Sequence, residues 1–152
     1  MTNNAQDYQR IAAVAGASPV GLVVLLYERL ITDLTRAVAA MEKGDLETRV
    51  AQINHAFLIL GQLEGSLDSS QAPEAARTQA LFYSVARAKI LEAHLKSSPK
   101  MLKEQIVLLN DVRAAWEQVD PARNARVLLP ASLPSRAGNQ DDEELAVLDA
   151  SA

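Results

Sequence analysis

The chain has 152 residues, 49% of them hydrophobic, so one domain with a genuine core is expected, followed by a tail. A net charge of -4 with scattered lysines and arginines excludes the basic stripe that a nucleic-acid partner needs. Cysteine is absent, which removes disulfide frameworks and thiolate chemistry and agrees with a cytoplasmic address.

Residues 1–17 are a polar, then alanine-rich lead. The uncharged stretch from Ile11 to Tyr27 invites a membrane or targeting reading, but Gly16, Ser18, Pro19 and Gly21 break up the roughly 20 apolar residues a spanning helix wants. Arg10 is the one base ahead of it, and Asp7 offsets that charge. Neither membrane insertion nor a signal peptide is expected.

Ser18-Pro19 predicts the start of a first helix, because a serine hydroxyl can accept from a free amide of the first turn and proline pre-sets φ at the first helical position. Val23, Tyr27, Leu30, Leu34, Ala37 and Met41 then recur four and three apart, the spacing of a helix–helix seam. Gly44 suits the left-handed end of that helix and Asp45 the cap of the next. Leu46, Val50, Ile53, Phe57 and Leu60 predict the seam of helix two, which continues to about Leu67 before Asp68-Ser69-Ser70. Pro73-Glu74 opens helix three, with Leu81, Val85, Ala88 and Leu95 as its expected seam and Phe82, Ile90 and Leu91 alongside. Ser98-Pro99 repeats the first start signal, and helix four runs to about Val119 before Asp120-Pro121 discourages continuation.

Similar helix lengths and short links predict an all-α fold, an antiparallel up-down four-helix bundle over residues 18–120. Residues 121–152 contain three prolines, small residues and the acidic run Asp141-Asp142-Glu143-Glu144, so a mobile, mostly disordered acidic tail is expected. Leu145, Val147 and Leu148 behind that run make a short amphipathic helix the alternative there.

Chemistry-bearing patterns are sparse. His55 and His94 fall on different helices without a Glu-x-x-His pair, and no glycine-rich phosphate loop occurs, so no metal and no cofactor is expected and the chain does not read as an enzyme. Four-helix phosphotransfer domains present an exposed histidine as phosphoryl carrier, which makes a histidine phosphotransfer-type signalling domain the alternative function. His94 has Lys96 behind it but Ser97 and Ser98 where glycine would help, and His55 precedes the apolar run Ala56 to Leu60.

Apolar surface exceeds what one seam uses. On helix four Leu102, Ile106, Leu109 and Trp116 form one line and Leu108, Val112, Ala115 and Val119 another, rotated by about 100°. Leu58, Ile59 and Leu63 lie outside the main seam of helix two, and helix one is apolar nearly all round from Leu22 to Leu26. Such excess fits either a thick core or grooves for partner helices.

Tyr8-Gln9, Ala17-Ser18-Pro19, the series Leu22, Leu25, Leu26, Tyr27, Glu28, the link Gly44-Asp45 and Val112-Arg113-Ala114-Ala115-Trp116 stand in the order found in the flagellar export chaperone family FliS, which the chain resembles over about residues 5–120. The resemblance implies a cytoplasmic chaperone that binds the disordered C-terminal segment of flagellin, prevents premature polymerisation and delivers it to a component of the flagellar export gate. It also implies that residues 1–17 act as a lid over the partner groove. By position Tyr8 and Ile11 would belong to the lid and Leu22, Leu26 and Tyr27 to the surface beneath it, with Phe57, Leu58, Leu109, Val112 and Trp116 as further groove residues. A weak homodimer is left open. The tail is longer than is typical of the family, and Leu145 to Leu148 are expected to occupy a groove when no client is bound.

Overall fold

The computed structural model describes residues 18–120. Four helices run in order, α1 Pro19–Lys43, α2 Leu46–Gly65, α3 Pro73–Leu95 and α4 Pro99–Gln118, and no strand occurs among the described residues. Their bounds follow local chemistry. Ser18 Oγ accepts from the Gly21 amide at 2.9 Å, Asp45 Oδ1 from Thr48 at 3.1 Å and Ser98 Oγ from Met101 at 3.2 Å, each satisfying an otherwise orphaned first-turn donor. α3 starts on Pro73 without a side-chain cap.

Two links share one geometry. After α1, Gly44 adopts φ 72° while the Asp45 amide reaches back to the Ala40 carbonyl; after α3, Ser97 adopts φ 49° while the Ser98 amide reaches back to Ala93. Both use the left-handed residue that turns the chain sharply at a helix end, a conformation glycine takes freely and serine at a cost. The α2–α3 link instead passes through Ser66 and the Asp68–Ser70 turn, where Asp68 Oδ1 accepts from the Ser70 amide at 2.9 Å.

Each helix packs against its two neighbours in the ring α1–α2–α3–α4, and α1 makes the most extensive contacts, with α2 on one side and α4 on the other. This position explains why α1 is apolar on so much of its circumference: Val24, Leu26, Tyr27, Leu30, Leu34, Ala37 and Val38 are all buried. The core is completed by Ile53, Ala56, Ile59, Leu60 and Leu63 of α2, Tyr83, Ala86, Ile90 and Ala93 of α3, and Leu102 and Leu109 of α4. Across its middle, Tyr27 Oη donates to Tyr83 Oη at 3.2 Å, linking the diagonal helices α1 and α3.

The first-helix seam lies as its spacing predicts, with Tyr27, Leu30, Leu34 and Ala37 inside. The third does not. Leu81, Val85, Ala88 and Leu95 face outward, and the inward seam is Ala76, Gln79, Tyr83, Ala86, Ile90 and Ala93, half a helix turn away. The inward face sets Tyr83 and Ile90 among three alanines, and the more hydrophobic face is left outside. On α2, Ile59 and Leu63 are core residues and Leu46 and Val50 are exposed, a second departure from the expected seam.

Candidate partner-binding surface

Three surface features result from this packing. The first is the outer face of α3. Leu81 is 66% exposed and Leu95 75%, Val85 is exposed one turn after Leu81 and Leu91 one turn before Leu95, and Glu92, ion-paired with Lys89 and Lys96, interrupts the line, so α3 carries apolar side chains outside as well as inside. Exposed Leu46 and Val50 of α2 lie at the bundle end where α3 finishes, with Arg49 Nη1 donating to Ser97 Oγ at 2.9 Å between them; Leu58, Val107, Leu108 and Val119 are exposed elsewhere. Exposed apolar pairs one turn apart are anchors of the kind a helical partner segment recognises.

The second is a pocket of about 290 Å³ at the opposite end, where α1 begins and α4 finishes, lined by Val23, Leu67, Ala75, Ala76, Tyr83 and Trp116. Burial raises the Tyr27 hydroxyl far above its ordinary pKa, and the bond to Tyr83 adds to this, while the Trp116 side chain works in the other direction. Burial likewise raises that of Tyr83, against the bond to Tyr27. Both phenols therefore stay neutral, one donating to the other.

The third is a polar cleft of about 670 Å³ between α1 and α2, with Leu25, Arg29, Thr32, Asp33 and Arg36 on one wall and Ala51, Gln52 and His55 on the other. Asp33 is buried, and its Oδ2 lies 2.6 Å from His55 Nδ1. Burial pushes the Asp33 carboxyl up, opposed by the His55 bond and, more weakly, by Arg29 and Arg36.

Of the residues expected at a groove, Leu26, Tyr27 and Leu109 stand in the central cluster instead, because α1 is flanked on both sides and Leu109 belongs to the inward line of α4. Leu22, Val112 and Trp116 are half-buried, and Trp116 meets the end pocket. Phe57 is half-buried beneath Arg87, whose guanidinium carbon is 5.5 Å from the ring centroid and whose Nη2 donates to Glu64 at 2.9 Å. Leu58 is exposed. Tyr27 and Trp116 are brought near one another; Phe57 and Leu58 lie apart on α2. Tyr8, Ile11 and the tail fall outside the described residues.

The spacing rules missed Asp33 and its pairing with His55, 22 positions on, and they missed Tyr83 as the partner of Tyr27. His94 is half-buried, its Nδ1 enclosed without a partner and its pKa lowered by burial and by Arg49, a poor setting for an exposed phosphoryl carrier. Among the described residues no helix is long and apolar enough to cross a membrane.

A family model described as flagellar protein FliS matches residues 1–123. The flagellar secretion chaperone FliS of Vibrio cholerae is 25% identical over 124 residues, 80% of this chain and 91% of that protein. That of Salmonella typhimurium is 28% identical over 111 residues, 72% and 82% of the two chains. The flagellar secretion chaperone FliSB of Pseudomonas aeruginosa is 29% identical over 117 residues, 75% and 93%.

Proposed function

Since the chain belongs to the FliS family of flagellar proteins, we propose that it is a flagellar secretion chaperone whose client is flagellin. It binds the C-terminal segment of newly made flagellin in the cytoplasm, keeps it from polymerising and passes it to the flagellar type III export gate. The observation that carries the binding mode is the set of apolar side chains on the outside of α3, with Leu81, Val85, Leu91 and Leu95 outward on a helix whose opposite side already serves the core.

The physics suits a transported client. A segment that is disordered alone and becomes helical on this face buries apolar area at about 25 cal/mol per Å² but gives back several kcal/mol in ordering. The complex is then specific, because side chains must fall at helical spacing, and still separable at the export machinery. Residues 1–17, with Tyr8 and Ile11, are proposed as the lid that a client displaces, and half-buried Trp116 and Val112 as contacts near the end from which that segment departs.

Co-expression with flagellin followed by size exclusion tests the reading. A one-to-one soluble complex that disappears when the last few dozen flagellin residues are removed is the expected result. A chaperone that elutes alone with full-length flagellin would rule it out.

A further inference from the structure

The chain leaves α4 beside the end pocket. Ser18 donates to Asp120 at 3.0 Å, and Asp120 stands four positions past Trp116 of the pocket wall, about 6 Å along the helix axis. Val23, Leu67, Ala75, Ala76 and Trp116 make apolar walls there, and Asp68 of the α2–α3 link shares the opening. The volume of about 290 Å³ falls just below the range of small-molecule pockets, roughly 300–1,000 Å³. Such a recess suits one or two aliphatic side chains of a passing segment rather than a cofactor.

Ion pairs already balance most charges around this end. Glu64 is matched by Arg87 at 2.9 Å, Arg113 lies between Glu28 and Glu117, and Arg77 offsets Glu74 on the first turns of α3. Asp68 is different. It accepts from the amide and the hydroxyl of Ser70, both neutral, and no cation lies against it among the described residues. The matching segment therefore carries a base next to aliphatic side chains.

Such a segment follows α4 directly. Residues 121–140 contain Arg123, Arg126 and Arg136 and no acidic residue, and Arg126 is succeeded by Val127-Leu128-Leu129. Those three aliphatics lie beyond residues 1–123 of the family match. From Asp120 to Leu128 the backbone can extend by roughly 27 Å, which leaves slack for a turn back to Trp116. Tethering adds an effective concentration in the millimolar range, enough to favour a contact that would be weak between separate molecules. The leading segment departs at the same end, but its one arginine, Arg10, is offset by Asp7.

We infer that residues 126–129 fold back over this end of the bundle, with Leu128 and Leu129 in the pocket beside Trp116 and the Arg126 guanidinium against the Asp68 carboxylate. The chain thus caps its own pocket and closes it to a partner's side chain. The outer face of α3 stays clear.

Trp116 is the one tryptophan of the chain, so its emission reads this pocket alone. In the full chain, L128D/L129D is expected to shift that emission to the red and to raise its quenching by acrylamide. R126E produces a smaller change of the same sign, and combining it with D68K reverses that change. A nitroxide at Ser132→Cys, in a chain with no other cysteine, quenches Trp116 in the unaltered background and loses that effect with L128D/L129D. The tail substitutions touch no bundle residue, so unfolding does not imitate them. Emission indifferent to L128D/L129D overturns the inference. So does a red shift produced by Ile11→Asp instead, which would seat the leading segment in the pocket, or nitroxide quenching that fades on dilution with unlabelled chain, which would make the occupant a second copy. No arm involves flagellin, so the outcome is independent of the client assignment.

Discussion

Ser18 Oγ donates to Asp120 Oδ1 at 3.0 Å, joining the two ends of the described bundle across 102 positions of sequence. The same oxygen accepts from the Gly21 amide at 2.9 Å, so one hydroxyl both caps α1 and holds the end of α4. A Cβ at Gly21 would lie 2.8 Å from that oxygen and 3.5 Å from Asp120 Oδ2. Glycine at this position therefore makes room for the clasp.

Gly21→Ala is accordingly expected to lower the melting temperature, although alanine is favoured over glycine within a helix by about 1 kcal/mol. Ser18→Ala is expected to cost about 1–2 kcal/mol, since it removes the cap and a part-buried side-chain bond together. Thermal and urea unfolding followed by circular dichroism check both. Stabilisation by Gly21→Ala would show that the serine moves aside without loss.

For the buried phenol pair, Tyr27→Phe leaves the Tyr83 hydroxyl without its partner and is expected to destabilise by about 1–3 kcal/mol. Removing both hydroxyls in Tyr27→Phe/Tyr83→Phe is expected to cost less than the sum of the two single changes. A double-mutant cycle in urea gives the coupling directly; strict additivity would mean the two hydroxyls do not depend on one another.

Asp33 sets a pH dependence with a definite sign. Burial raises its carboxyl above the ordinary 3.8, so the folded protein holds that proton more tightly than the unfolded chain. Its contribution to stability is then fully present below 3.8 and lost as pH rises through the raised folded value. Asp33→Asn removes that slope, so its stability relative to the parent should climb across this window and level off above it. Unfolding free energies at a series of pH values check this, and a relative stability that falls with pH would mean the His55 bond outweighs burial.

Leu81→Glu and Leu95→Glu alter exposed side chains and should leave the melting temperature within a degree or two. On the proposed client mode each should weaken binding of a flagellin C-terminal peptide about tenfold or more, because a carboxylate then faces an apolar contact. Titration calorimetry reads the change; unaltered affinity in both variants would move the client to another face.

Much of the bundle is legible in the sequence for physical reasons that apply residue by residue. Ser18, Gly44, Asp45, Pro73 and Ser98 act through local hydrogen bonds and fixed φ, which do not depend on the rest of the fold, and the helices begin or turn where those residues stand. The seam of α1 is equally plain because its core positions are its large aliphatic and aromatic ones. α3 is not plain: ranking by hydrophobicity selects Leu81, Val85 and Leu95, whereas the face turned inward carries Ala76, Ala86 and Ala93 beside Tyr83 and Ile90. The Asp33–His55 pair was hidden for another reason, since the register between α1 and α2 comes from tertiary packing and no spacing within either helix encodes it.

The small inward side chains of α3 bear on how the molecule comes apart. Alanines at three of its buried positions remove little area from water, and its packing against α2 and α4 is slight beside that of α1. Amide protons of α3 should therefore exchange with solvent deuterium ahead of those in α1, through partial openings that leave the α1, α2 and α4 trio assembled. The helix offering the broadest greasy exterior would thus also be the loosest stave of the barrel, able to shift to accommodate a guest while the hub helix stays in place.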